Sequence, residues 1–121
     1  MSRISEHFSR AEFRCKCGEC GFDTVDTDTL SLLEAVRAHF DSPVIINSGC
    51  RCPAYNKSVG GARNSQHKLG RAADIRVVGV EPADVYDWIA ANYPAASIGH
   101  YNTFTHVDTR TGGPARWGRN V

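Results

Sequence analysis

The chain has 121 residues, 22% of them charged, and a formal net charge of +1. That length fits a single domain with a modest core, and the near-neutral balance, with no Lys/Arg-rich block, argues against nucleic acid as a partner. No apolar run approaches the ~18 residues of a membrane span. The start, MSRISEHFSRAEF, is polar and aromatic rather than a secretory leader, so synthesis in the cytoplasm is expected.

Residues 1–25 read as an irregular segment anchored by Phe8 and Phe13, with a cysteine knuckle near Gly18 and Gly21. Asp26 precedes a helix reaching about Phe40, with Leu30, Leu33, Val36, Arg37 and Phe40 at helical spacing. Asp26 and Asp28 suit its positive end. Pro43 closes that helix, and VIIN (44–47) reads as a buried strand. Pro53 opens a short helix, PAYNKSV, ended by Gly60 and Gly61. After the polar loop ARNSQHKLG comes a strand, AADIRVV (72–78), with Asp74 and Arg76 on one face and Ile75 and Val77 on the other. Glu81-Pro82 starts a helix through Tyr93, with Val85, Trp88 and Ile89 inward. SIGHY (97–101) and FTHVDT (104–109) are strands around an Asn102-Thr103 turn, with Phe104, His106 and Asp108 sharing a face. The tail RTGGPARWGRNV is turn-rich. The expected class is α+β, a small antiparallel sheet packed with helices.

Two features carry chemistry. His67 and Asp74 lie in NSQHKLGRAADI, with Gly70 allowing a tight turn between them, and adjacent antiparallel strands would bring His106 opposite Asp74. Two imidazoles and a carboxylate make a candidate three-ligand zinc site with one open position, the form that activates a water. His7 and His39 read as solvated. The second feature is the five cysteines: Cys15, Cys17 and Cys20 in CKCGEC, Cys50 and Cys52 in GCRC. An odd count leaves at least one thiol unpaired in any disulfide scheme within a monomer. Structural metal, a packing or disulfide role and free thiols are all open, with metal or reduced thiols favoured in a protein made in the cytoplasm.

The run INSGCRCPAYNKSVGGARNSQHKLGRAADIRV (46–77), followed by GHY (99–101), THVDTR (105–110) and GPARW (113–117), resembles the zinc D-alanyl-D-alanine carboxypeptidase family, of hedgehog/DD-peptidase fold. The likeness is strongest to its short murein-peptidase branch, which holds MepK-like endopeptidases and phage endolysins, and it spans nearly the whole chain. The resemblance implies one zinc peptidase domain over 1–121, with His67, Asp74 and His106 as zinc ligands and Arg51 facing the substrate carbonyl or oxyanion. It implies a peptidoglycan peptide as substrate, cleaved at a D,D bond or at L-Ala-D-Glu by metal-activated water. Gln66 and Ser65 flank the first ligand and are candidates to bind substrate, Gln66 as a donor, with shaping of the loop the alternative for Ser65. Tyr101 and Trp117 are candidates to line the cleft.

Many relatives place a carboxylate base three residues before the last histidine, where this chain has Thr103. Hedgehog proteins place one six before, here His100. The general base is therefore open between His100 and Asp108, the latter better suited to orienting a ligand. A monomer with one catalytic zinc is expected, with a second, structural ion as one option for the cysteines. A lysis enzyme acting on the wall after release, or a virion component, is the implied setting. A zinc-bearing binding domain of the same fold without peptidase activity is the alternative.

Overall fold

The structure is a computed structural model that describes residues 3–62, 65–112 and 114–118. Arg63 and Asn64 of the polar loop, and Gly113 of GPARW, fall outside the described residues.

Helix α1 spans Thr27–Phe40, capped by the Asp26 carboxylate, which accepts from the Asp28 backbone N–H. Strand β1 is Val44–Ser48, α2 is Pro53–Ser58, β2 is Ala72–Val77 and α3 is Pro82–Asn92. Proline opens both α2 and α3, where the missing N–H costs nothing. Strands β3 (Ser97–His100), β4 (Thr105–Asp108) and β5 (Arg116–Trp117) follow. No helix of the described residues is long and apolar enough to cross a membrane.

The five strands form one sheet in the order β1-β2-β4-β3-β5. The expected α+β class holds, with two refinements. The tail, read as turns alone, supplies β5, and β5 pairs with β3 in parallel rather than antiparallel fashion. The N-terminal segment, read as irregular, contains a 3-10 turn at Arg10–Phe13.

Alternation divides the sheet. Ala73, Ile75, Val77, Ile98 and Val107 face a core completed by Leu33, Val36, Val85 and Ile89 of α1 and α3. Phe8 and Phe13 are both buried in it, as expected of anchors. The opposite face carries a polar row set by register: Ser48 pairs with Asp74, Asp74 with His106, His106 with Gly99, and Gly99 with Trp117. Five neighbouring strands thus present one transverse line of residues, of which Asp74, His106 and Trp117 line a cleft.

Candidate metal centre

His67 rides on a 3-10 turn, Gln66–Leu69, that leads into β2. Ser65 caps the turn by accepting from the His67 N–H, which shapes the loop. Gly70 ends the turn at φ +69°, the left-handed region, and a Cβ there would stand 2.8 Å from the Thr24 carbonyl oxygen. This fixed turn delivers His67 to Asp74, and strand pairing delivers His106 from the other side.

His67 Nε2 lies 3.2 Å and His106 Nδ1 2.9 Å from the same atom, Asp74 Oδ1. All three residues are buried. The remaining ring nitrogens are also committed. His67 Nδ1 is 2.5 Å from the Gly49 carbonyl oxygen, and His106 Nε2 is 2.7 Å from Asp108 Oδ2. An imidazole whose far N–H is held by a carbonyl or carboxylate has its tautomer fixed and its near nitrogen turned to a metal. Two imidazole nitrogens and one carboxylate oxygen converging with room for a fourth group suit zinc, and three protein ligands leave the open position of a catalytic site.

The electrostatics agree. Burial by itself would raise the Asp74 carboxyl, but hydrogen bonds and charge from His106 and His67 hold it well below the usual carboxylate range. Burial works against charge on His106 too, yet bonds to Asp108 and Asp74 raise its pKa. Asp108 is held low, against its burial, chiefly by Arg110 and His106.

Arg51 lies beside this centre. Its Nη2 donates to Asp74 Oδ2 at 3.1 Å, Nε to Ser48 Oγ at 3.1 Å and Nη1 to Asn56 Oδ1 at 3.3 Å. Its backbone N–H also bonds the His67 carbonyl, tying the two loops together. Above these residues opens a cleft of about 410 Å³. Gln66, Tyr101 and Trp117 line it, as does Phe104, whose ring stacks on Tyr101 at 4.3 Å.

His100 is not brought to this centre. Gly99, rather than His100, stands opposite His106, so alternation turns the His100 ring to the other face of the sheet, edge-on to Tyr86 of α3. Thr103 lines a separate cavity near Pro82. Asp108 is fully buried and spent on His106 and Arg110, the geometry of a group that orients a ligand. Among the described residues lining the cleft, Asp74 is the only carboxylate.

Arg110 escaped the sequence reading. It clasps Asp108 through Nε and Nη2, lies 5.7 Å from the centre of the Trp117 ring and lines the cleft as a second cation. The Asp-x-Arg spacing on the last core strand was the available signal. His7 and His39 are both exposed; His7 bonds Glu34 of α1 and His39 stacks on Trp88.

The cysteines sort unequally. Cys15, Cys17, Cys20 and Cys52 converge, while Cys50 lies apart with its Sγ against the Phe13 and Phe22 carbonyls. Burial pushes the Cys50 thiol up to about 11.

Comparison with known proteins agrees with this geometry. A segment of 48 residues is 46% identical to the zinc D-Ala-D-Ala carboxypeptidase of Streptomyces albus G. That segment is 39% of this chain but only 19% of the length of that relative. The family model described as Peptidase M15 matches residues 6–108, a stretch that contains Arg51, the whole His67–Asp74–His106 centre and Asp108, and the chain belongs to that family.

Proposed function

We propose that the chain is a zinc-dependent peptidase acting on the peptides of bacterial peptidoglycan. The observation that carries this reading is the meeting of His67 Nε2, Asp74 Oδ1 and His106 Nδ1 on the floor of a cleft, beside the guanidinium of Arg51. Those three residues would hold the ion. Zinc, when bound, lowers the pKa of its water to about 7 and polarises a carbonyl.

The chain's own residues supply the rest. Arg51 is a permanent cation locked in place by three side chains, suited to hold the charge that develops on the scissile carbonyl oxygen. Tyr101, Phe104 and Trp117 form an aromatic wall against which an extended peptide can lie. Arg51 and Arg110 make the cleft cationic, and stem peptides carry free carboxylates. The name of the Streptomyces relative favours a D-Ala-D-Ala bond; a D,D cross-link or L-Ala-D-Glu bond would meet the same groups. Such a substrate sets the place of action at the cell wall.

One observation favours a second reading. With His100 turned away, Thr103 distant and Asp108 buried, no described residue of the cleft offers an uncommitted base, as a zinc-bearing binding domain would not need one. Turnover decides. Purified protein, with and without chelator, is incubated with peptidoglycan and with defined stem peptides, and new amines are read by mass spectrometry. Chelator-sensitive release is expected, and the product masses identify the bond. No new amine with any divalent metal supplied would overturn the peptidase reading in favour of the binding domain.

A further inference from the structure

Four of the five cysteines form a second constellation. The Sγ atoms of Cys15, Cys17, Cys20 and Cys52 all lie within 4.8 Å of one another, and those of Cys17 and Cys20 are 3.4 Å apart. Four thiolates at about 2.3 Å around one zinc stand roughly 3.8 Å from each other, the edge of that tetrahedron. The sulfurs therefore need only small shifts to close on an ion.

Every one of the four sulfurs faces an N–H: Cys15 Sγ accepts from Cys52, Cys17 Sγ from Glu19 and Cys20, Cys20 Sγ from Phe22, and Cys52 Sγ from Tyr55. An N–H aimed at sulfur favours the thiolate, the form that binds metal. Cys50 differs in meeting two carbonyl oxygens. Its Sγ is 3.1 Å from the Phe13 carbonyl oxygen and 2.9 Å from that of Phe22, so it must keep its proton and donate. The odd cysteine count thus resolves into four converging sulfurs and one thiol held against carbonyl oxygens.

We propose that Cys15, Cys17, Cys20 and Cys52 bind a structural zinc ion as four thiolates, at a site separate from the His67–Asp74–His106 centre. Four protein ligands leave no open position, which marks a structural rather than a catalytic site. Binding releases the thiol protons and involves no change of oxidation state. Tetrahedral sulfur sites also take iron, but Cys20 is exposed and Cys17 and Cys52 are half-exposed, which gives a redox ion no shelter. The ion would staple the N-terminal segment to the loop at 50–52. Arg51 precedes the ligand Cys52, and Gly49 packs so tightly on Phe13 that a Cβ would stand 2.7 Å from its Cα. The staple would therefore brace the stretch that presents both the Arg51 guanidinium and the Gly49 carbonyl held by His67. A chain of 121 residues has little core to spare for that task.

The proposal stands apart from peptidase activity and is tested by metal content of the full-length chain. Elemental analysis should give two zinc ions per chain in the native protein and in Cys50→Ser, and one in His67→Ala. Should Cys17→Ser with Cys20→Ser fail to fold, the His67→Ala protein still decides: reloaded with cobalt(II), it should show the intense near-ultraviolet thiolate-to-cobalt band. Its remaining zinc should be released in step with modification of four thiols by a mercurial. A His67→Ala chain without zinc, iron in place of zinc, a disulfide among the four cysteines, or cobalt lacking that band would each overturn it.

Discussion

His106 Nε2 donates to Asp108 Oδ2 at 2.7 Å while its Nδ1 faces Asp74 Oδ1 at 2.9 Å, so one ring is gripped at both ends by carboxylates. Arg110 clamps Asp108 from the far side. The ring's orientation is then set by a residue that does not itself reach the ion. Asp108→Asn removes the charge and weakens both bonds while keeping the shape. Loss of such an outer partner commonly costs about 10–100-fold in metal affinity. The His–Asp site in Asp108→Asn should bind zinc that much more weakly, measured by competition against a chromophoric chelator, with the circular dichroism spectrum unchanged. An unaltered affinity would show that Asp108 does not position the ring.

Arg51→Lys tests the fork rather than the charge. The guanidinium reaches Ser48, Asn56 and Asp74 at once, and a lysine ammonium cannot span them. Given the proposed peptidase activity, kcat/KM should fall about 10²–10³-fold, the cost of removing one oxyanion donor, with the metal count per chain retained. Loss of zinc from this variant would instead assign Arg51 to holding Asp74 in place.

Much of this centre was legible because strand alternation is a strict rule. A two-residue turn at Asn102-Thr103 pairs His100 with Thr105 and Gly99 with His106, and that register is present. The same parity turns His100 away from His106, so the weak base candidate followed from counting along the chain rather than across the hairpin. Strand β5 had no comparable signal. Two residues carry no period, and Arg116–Trp117 is held by non-local bonds, Ile98 N–H to the Ala115 carbonyl and Arg116 Nε to the Ala96 carbonyl. The division of the cysteines was equally hidden, because it depends on which sulfurs the fold brings together and which one it turns against carbonyls.

Gly99 is the shelf on which Trp117 lies. A Cβ at that position would stand 2.3 Å from Trp117 Cε2, so only glycine lets the indole fold over β3 toward His106, with ring centroids 5.1 Å apart. Gly99→Ala should push the indole off, breaking its Nε1–H bond to the Tyr101 hydroxyl and dismantling the aromatic wall. Overpacking of this kind costs about 1–3 kcal/mol; β5 is a two-residue edge strand able to yield, so the low end is expected from denaturant melts. Zinc content should persist while KM for a stem peptide rises. An unchanged KM would remove Trp117 from substrate binding.

The pH response of the metal-free and zinc-loaded proteins should run in opposite directions. Without metal, Asp74 has a lowered pKa, so its contribution is present above the unfolded value near ~3.9 and is lost as pH falls through the folded one. His106 has a raised pKa, so its contribution is complete below the unfolded value near ~6.5 and disappears as pH rises through the folded one. The buried pair therefore stabilises the metal-free protein most in mildly acid solution, and that protein should lose stability as pH climbs past the His106 titration. Zinc must displace the proton on His106 Nδ1, so its affinity rises with pH over the same interval. The difference in Tm between zinc-loaded and chelator-treated Cys17→Ser/Cys20→Ser protein, which confines the comparison to the His–Asp centre, should widen from pH 5 to pH 8. A difference that stayed constant over that range would mean that His106 is already unprotonated in the metal-free protein.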